Sequence, residues 1–407
     1  MSIRAIKEAT GNIEGEAIAF AQKLVQTPSI SGEEEEVAVL ILDRMRKLGY
    51  DEAFRDSIGN VVGVIKGSGV GQNTMFNCHM DHVDPGRLEA WQYEPYAGTI
   101  ADGYLHGRGS CDVKGAIACQ VYGAALIKQF SLSHRGDIIV TGVVQEEPAE
   151  ALGMSYLCDV TLPERGIRYD FVVLGEPTGL NISLGHRGRV ELEIKTLGRT
   201  SHGSAPWRGI NAVYKMLPVI NALQDLAPRL PQHHLLGKST VALTCIGCSP
   251  GRLSIIPDEC TISLDRRLLP SESLEAVVAQ IDAILKQIRG EDAQFEGTVK
   301  VREVEETSYT GMKKRVKKYL SSWTTPEDDP NVVRAGDALR ELGEMPEFVY
   351  WDFATDGGHT AGILGIPTIG YAPAEEQYAH TPQEKVSLDF LRRAIAGNTA
   401  IALAITE

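Results

Sequence analysis

Arg189–Gly198 reads RVELEIKTLG. Val190, Leu192 and Ile194 alternate with charged residues, the period-2 pattern of an antiparallel strand with one face on a core and one in water. The chain before this point follows another pattern. NVVGVIKG, TMFNC, DIIVTGVV and YDFVVLG are short β-rich runs. Helical stretches alternate with them: SGEEEEVAVLILDRMRKLG, VKGAIACQVYGAALIKQF and the short MSYLCDV. The first of these has Ser31 as a cap, acids in its first turn, basic residues late and Gly49 as a stop. Strands alternating with helices predict an α/β fold, a mainly parallel sheet covered by helices on both faces.

Beyond RVELEIKTLG comes a helix, INAVYKMLPVINALQDL, then strands STVALTCIG and ECTISLDRRL. A second helix, SLEAVVAQIDAILKQI, and a strand, TVKVREVEE, complete the unit. This β-α-β-β-α-β order is the split βαβ, or ferredoxin-like, arrangement. It predicts an inserted α+β domain over 184–306. The α/β pattern resumes with NVVRAGDALRELG, GIPTIGYAP and a final helix, so 1–183 and 307–407 form one discontinuous domain. An exposed strand such as RVELEIKTLG needs covering, which an isologous homodimer would do.

The 407 residues carry a formal net charge of -14, which opposes binding to a nucleic-acid backbone. KKRVKK at Lys313–Lys318 is therefore expected to be a solvated helix face. The N-terminal residues lack the apolar core of a signal peptide, and no run is long enough to span a membrane. A cytoplasmic protein without membrane partners is the expectation. The seven cysteines are odd in number and scattered, which suggests reduced thiols. Cys245 and Cys248 form a lone CxxC pair and are expected to be structural.

The chemistry gathers at predicted strand ends, where ligands bind in open parallel sheets. TMFNC runs into His79 and Asp81, and a histidine that ligates a metal needs a carboxylate or carbonyl to orient its other nitrogen. His82 and Asp84 follow at once. Glu146 and Glu147 close DIIVTGVVQ, Glu176 follows DFVVLG, Asp112 sits in the glycine-rich GRGSCDVKGA, and His380 lies in the polar loop QYAHTPQE. Two histidines and three carboxylates satisfy two metal ions if one carboxylate bridges. Glu146 would then be left as a general base. Oxygen and imidazole donors without thiolate suit zinc, cobalt or manganese.

CHMD, GRGSCDVKGA, VVQEE, LGEPT and YAHTPQEKV resemble, in order and spacing, the motifs of the di-zinc amidohydrolase and carboxypeptidase family. That family includes acetylornithine deacetylase, succinyl-diaminopimelate desuccinylase and aminoacylase. The likeness runs nearly end to end and takes in RTSHGSAPWRGINAV and the DxR of SLDRRL. HGSAP, RGINAVYKM and LDRRL most resemble a subgroup of hydrolases linked to selenium metabolism, with no substrate implied. The resemblance implies that His79, Asp112 and Glu176 hold one ion and Asp112, Glu147 and His380 the other. It further implies that Asp81 orients His79 and that Glu146 deprotonates the bridging water. His202, Asn211 and Arg267 match positions that contact substrate, His202 at the oxyanion and Arg267 on a carboxylate. His202 would reach its site from a neighbouring subunit.

The reaction so implied is hydrolysis of an amide bond in a small N-acyl or N-carbamoyl amino acid or dipeptide. Alternatives are a dipeptidase or carboxypeptidase rather than a deacylase, and a silent ligand-binding relative. The chain departs from the family's usual residues after HxD, where His82 and Asp84 are expected to play a rim role. A metallo-β-lactamase-like HxHxDH reading fails, because its first histidine would be Asn77.

Overall fold

The computed structural model describes residues 3–149 and 151–407. Helices α1 (Ile3–Val25) and α2 (Glu35–Lys47) precede strands β1 (Glu52–Arg55), β2 (Val61–Ile65) and β3 (Thr74–His79). Helix α3 (Gly115–Gln129) and strands β4 (Ile138–Val143), β5 (Phe171–Leu174) and β6 (Ile182–His186) follow. β3 lies between β4 and β5 and is parallel to both, while β1 and β2 extend the β4 side antiparallel. Side chains leave the strands in two sets. Val61, Phe76, Val140 and Val173 enter one core, and Val62, Met75, Ile139 and Val172 enter the other. Helices α1 and α3 contribute to the first core, so the centre of the sheet is buried on both faces, as expected for parallel strands.

The chain then leaves this sheet for β7 (Gly188–Leu197), α4 (Ala212–Leu226), β8 (Thr240–Ser249), β9 (Glu259–Leu268), α5 (Leu274–Glu291) and β10 (Glu296–Val301). These strands are antiparallel in the order β8-β9-β7-β10, the ferredoxin-like order. Val190, Leu192, Ile262 and Leu264 pack with Met216, Val219, Ile281 and Leu285 of the two helices in a separate core. Burial along β7 alternates as predicted. Its place in the sheet does not match the expectation of an exposed edge, because β9 and β10 cover both its sides. The edge strands are β8 and β10, and on β8 Leu243 and Ile246 are 41% and 58% exposed.

TVKVREVEE splits after β10. Its second half is β11 (Glu303–Thr307), paired in a hairpin with β12 (Lys313–Lys317). KKRVKK is thus mainly a solvated strand, not a helix face. Its pairs Lys313–Glu305 (3.4 Å) and Arg315–Glu303 (3.3 Å) are exposed and worth about 0.2–1 kcal/mol each. The turn is anchored instead by Tyr309, whose hydroxyl donates to the Gly59 carbonyl at 2.7 Å. The first sheet is completed by β13 (Trp323–Thr324), β14 (Phe348–Trp351) and β15 (Thr368–Gly370), with helices α6 (Pro330–Glu341) and α7 (Leu388–Thr406). β15 runs parallel to β5 and fills the space between β5 and β6. Among the described residues no helix is long and apolar enough to cross a membrane.

Candidate metal centre

Adjacent strands β4, β3 and β5 end at the same edge, and each delivers polar side chains there. His79 is the last residue of β3; Glu146 and Glu147 follow β4, and Glu176 follows β5. Asp112 enters from the turn before α3, where Gly107 and Gly109 take φ of +145° and +80°, a region that disfavours side chains. The Asp112–Val113 peptide is cis, a feature the sequence did not suggest. His380 comes from the loop between β15 and α7 and itself sits at φ +59°.

Asp112 lies between the two histidines. Its Oδ1 is 2.9 Å from His79 Nε2, and its Oδ2 is 3.1 Å from His380 Nε2. His380 Nε2 is also 3.0 Å from Glu147 Oε1, and His79 Nε2 is 3.6 Å from Glu176 Oε1. Ligand atoms of His79, Asp112 and Glu147 lie within 4.8 Å of one another, as do those of His79, Glu146 and Glu176. Glu146 thus sits in the same ring of donors as the other acids.

Burial would raise the Asp112 carboxyl, but hydrogen bonds from His380 and His79 outweigh it and hold the group below the usual carboxylate range. Glu146 and Glu176 lack such partners. Burial pushes both well above the normal range, opposed by His79 and reinforced by neighbouring acids. A buried ring of acids too large for its imidazoles to neutralise suits divalent cations. The donors are nitrogen and oxygen only, which fits the same conclusion.

The supporting residues are equally specific. Asp81 is fully buried; its Oδ1 accepts the Glu146 amide at 3.1 Å, and its Oδ2 accepts the Glu147 amide at 3.2 Å. His79 Nδ1 faces the Asp81 carbonyl at 3.0 Å, with the carboxylate Oδ1 at 3.5 Å. Ser31 is not the helix cap expected of it. Glu34 occupies the cap position of α2, and the Ser31 hydroxyl donates to Asp81 Oδ2 at 2.7 Å. Glu384 is a residue the sequence reading missed. Its Oε1 accepts the amides of Cys111 and Asp112 at 3.1 Å each, and it pairs with buried Arg108. It lies inside YAHTPQEKV, but a single acid in a polar loop gave no signal.

Other expectations fare differently. Arg267, on β9, lines the cavity that holds Asp112, Glu146, Glu147, Glu176 and His380. Asn211 is the N-cap of α4, its side-chain oxygen accepting the Val213 and Tyr214 amides at 2.9 and 3.4 Å. His202 is exposed and absent from the cavity lining; its Nδ1 accepts the Ser204 amide at 3.1 Å. His82 is fully buried rather than on a rim. Its Nε2 accepts the Ser29 amide at 2.9 Å, tying the Ser29 loop to the end of β3. Asp84 is exposed and caps its own turn at Gly86. Cys245 and Cys248 are free and exposed on β8, so they do not pack as structural residues. Arg189, Leu320, Phe353 and Glu376 join the cavity lining, which the sequence did not reveal.

The model of peptidase family M20/M25/M40 matches residues 75–404, spanning every candidate metal ligand. The chain belongs to that family. This M20 member is accordingly a metal-dependent hydrolase of amide or peptide bonds. YgeY of Escherichia coli K12, an uncharacterized protein, is 35% identical over 98% of this chain and 96% of its own. Succinyl-diaminopimelate desuccinylase of Methylobacterium radiotolerans is 29% identical over 69% of this chain and 73% of its own. The fold is shared with aminopeptidase PepT of Bacillus cereus at a TM-score of 0.75 and 21% identity, covering 97% and 99% of the two chains. It is also shared with YxeP of Bacillus subtilis, a dinuclear metal-binding peptidase, at 0.72 and 16%, again covering 97% and 99%.

Proposed function

We propose that this chain is a dinuclear amidohydrolase acting on a small N-acyl or N-carbamoyl amino acid or dipeptide that carries a carboxylate. The observation that carries the reading is Asp112, whose two oxygens are divided between His79 and His380. His79, Asp112 and Glu176 would hold one ion and Asp112, Glu147 and His380 the other, with zinc favoured and cobalt or manganese suited. When bound, such ions supply Lewis acidity to the scissile carbonyl and lower the pKa of a water. Glu146, left over from ligation, takes a proton from the attacking water and passes it to the leaving nitrogen. Asp81 fixes where Glu146 stands by holding its amide. Arg267 receives the substrate carboxylate, for which a planar guanidinium is suited.

Zinc-loaded protein should hydrolyse at least one of three classes: N-acyl amino acids, N-carbamoyl amino acids or dipeptides. Chelation should abolish that turnover, and re-addition of zinc should restore it. Full activity in protein shown by elemental analysis to hold no metal would sink the reading.

The same reading includes a homodimer formed through the inserted domain, with His202 acting in the partner's site. Two features support it: the open, partly apolar edge of β8, and an exposed His202 that does not line the cavity of its own chain. An unpaired strand edge of this length invites a second copy. His202→Ala and Glu146→Gln subunits, each nearly inactive alone, should regain about a quarter to a half of the activity when co-assembled, since one mixed site carries both intact groups. Purified heterodimers that regain nothing, or an active monomer, would remove the role in trans.

A further inference from the structure

Glu146 reaches the cavity from the turn that closes β4, and the residue before it has a strained backbone. Gln145 sits at φ +49°, in the left-handed region that disfavours side chains. Such strain persists only where the surroundings hold the chain in place. Hydrogen bonds on both sides do so here. Glu34 Oε1 accepts the Gln145 amide at 3.1 Å, and Gln145 Nε2 donates to the Thr307 carbonyl at 3.0 Å. Asp81 holds the next amide, that of Glu146.

Glu34 stands at the N-cap position of α2, yet its side chain does not cap that helix. Its Oε1 accepts the Gly32 amide at 3.0 Å and crosses to Gln145, 111 positions away. The residue is fully buried, and its Oε2 has no hydrogen-bond partner among the described residues. Burial, with Asp81 nearby, pushes the carboxyl up to about 7. A leucine would be buried at less cost there, but it could not accept an amide.

The support behind Glu34 is rigid, because Val37, Ile41 and Met45 root α2 in the first core. Ser31, just before it, donates to Asp81 Oδ2. One short segment therefore reaches the Glu146 turn by two routes, directly through Gln145 and indirectly through Asp81.

We propose that Glu34 is a positioning residue for the reaction, holding the Gln145 amide so that the Glu146 carboxylate is aimed at the attacking water. This deepens the amidohydrolase reading above and rests on it. A reacting group misplaced by about 1 Å can cost roughly a hundredfold in rate.

The test uses variants that separate reach from charge. Glu34→Leu removes the acceptor, Glu34→Asp keeps the charge but withdraws the oxygen by one methylene, and Glu34→Gln keeps an oxygen at full length. Crystal structures of the zinc-loaded proteins should show the Glu146 side chain displaced by about 1 Å in the first two and unmoved in the third. On the fastest of the N-acyl, N-carbamoyl and dipeptide substrates, kcat should fall roughly tenfold to a hundredfold in Glu34→Leu and about tenfold in Glu34→Asp. Glu34→Gln should stay within about threefold of the parent, and KM and zinc content should hold in all three. Added to Glu146→Gln, Glu34→Leu should cost less than about twofold, because the group it positions is already gone.

A Glu146 that stays in place in Glu34→Leu and Glu34→Asp would overturn the proposal, and so would a displaced Glu146 with kcat intact. A Glu34→Gln enzyme as slow as Glu34→Leu would do the same, since charge and not reach would then matter. Lost zinc, or an equal loss of rate with and without Glu146, would mark a general loosening of the centre and remove the positioning role. Glu34→Asp is close enough to the natural residue to carry the test if Glu34→Leu does not fold. If Glu146 is displaced as expected but the parent protein hydrolyses no amide of any class, Glu34 keeps its hold on Glu146 and the hydrolase reading fails instead.

Discussion

Glu146→Gln should lower turnover by roughly two to four orders of magnitude, the usual contribution of a positioned general base. The substitution preserves shape and removes the ability to accept a proton. It should not displace the backbone, because Asp81 grips the Glu146 amide and not its side chain. Asp81 also holds the Glu147 amide, so the neighbouring candidate ligand should stay in place. Glu146 nevertheless lies within 4.8 Å of donor atoms on His79 and Glu176, close enough to be a ligand itself. Metal content therefore has to be measured beside kcat. A slow enzyme with its full complement of zinc identifies the base; a slow enzyme that has lost zinc makes Glu146 a ligand. Near-normal turnover would remove it from the chemistry altogether.

Asp112→Ala is expected to be more severe still. Removing a carboxylate that faces both His79 and His380 takes a donor from each ion at once. Elemental analysis should show metal falling from about two ions per chain to less than one, with turnover below detection. His380→Ala, by contrast, should spare the group around His79. The turn that carries Asp112 should survive its truncation, since Glu384 holds it through backbone amides. A protein that keeps both ions after Asp112→Ala would show that no bridge exists there.

Much of this was readable from residue order, for physical reasons. Chemistry at the ends of β3, β4 and β5 follows from apolar runs that stop at polar residues, because parallel strands bring those stops to one edge. The inserted unit was readable because its period changes at Arg189. What alternation cannot show is what lies beside a strand in the plane of its sheet. Val190, Leu192 and Ile194 report which face is buried, whereas β9 and β10 bind through backbone groups that any sequence supplies. An edge is therefore expected at β7, whereas the edge strands are β8 and β10.

Short polar residues misled in a related way. Ser31 precedes a run of acids, as a capping serine does, yet its partner is Asp81, fifty positions on. Asn211, expected to contact substrate, has its side-chain oxygen committed to the cap of α4. Arg189 looked like one more charge on a wet face. Its place on the cavity wall opposite Arg267 could be seen only once the strand register was known. KKRVKK became a strand because EVEET lies opposite, and a run of like charges has no period of its own.

Glu384 reaches back 272 residues to hold the turn that presents Asp112. Chains emerge from the ribosome N-terminus first, at roughly 5–20 residues per second. His79, Asp112, Glu147 and Glu176 are all made long before His380 and Glu384. A nascent chain short of those two lacks one face of the centre and the brace for another. The candidate centre is thus completed only once residue 384 has been made, and a message truncated upstream of codon 380 yields a chain without it, however well its early strands have folded.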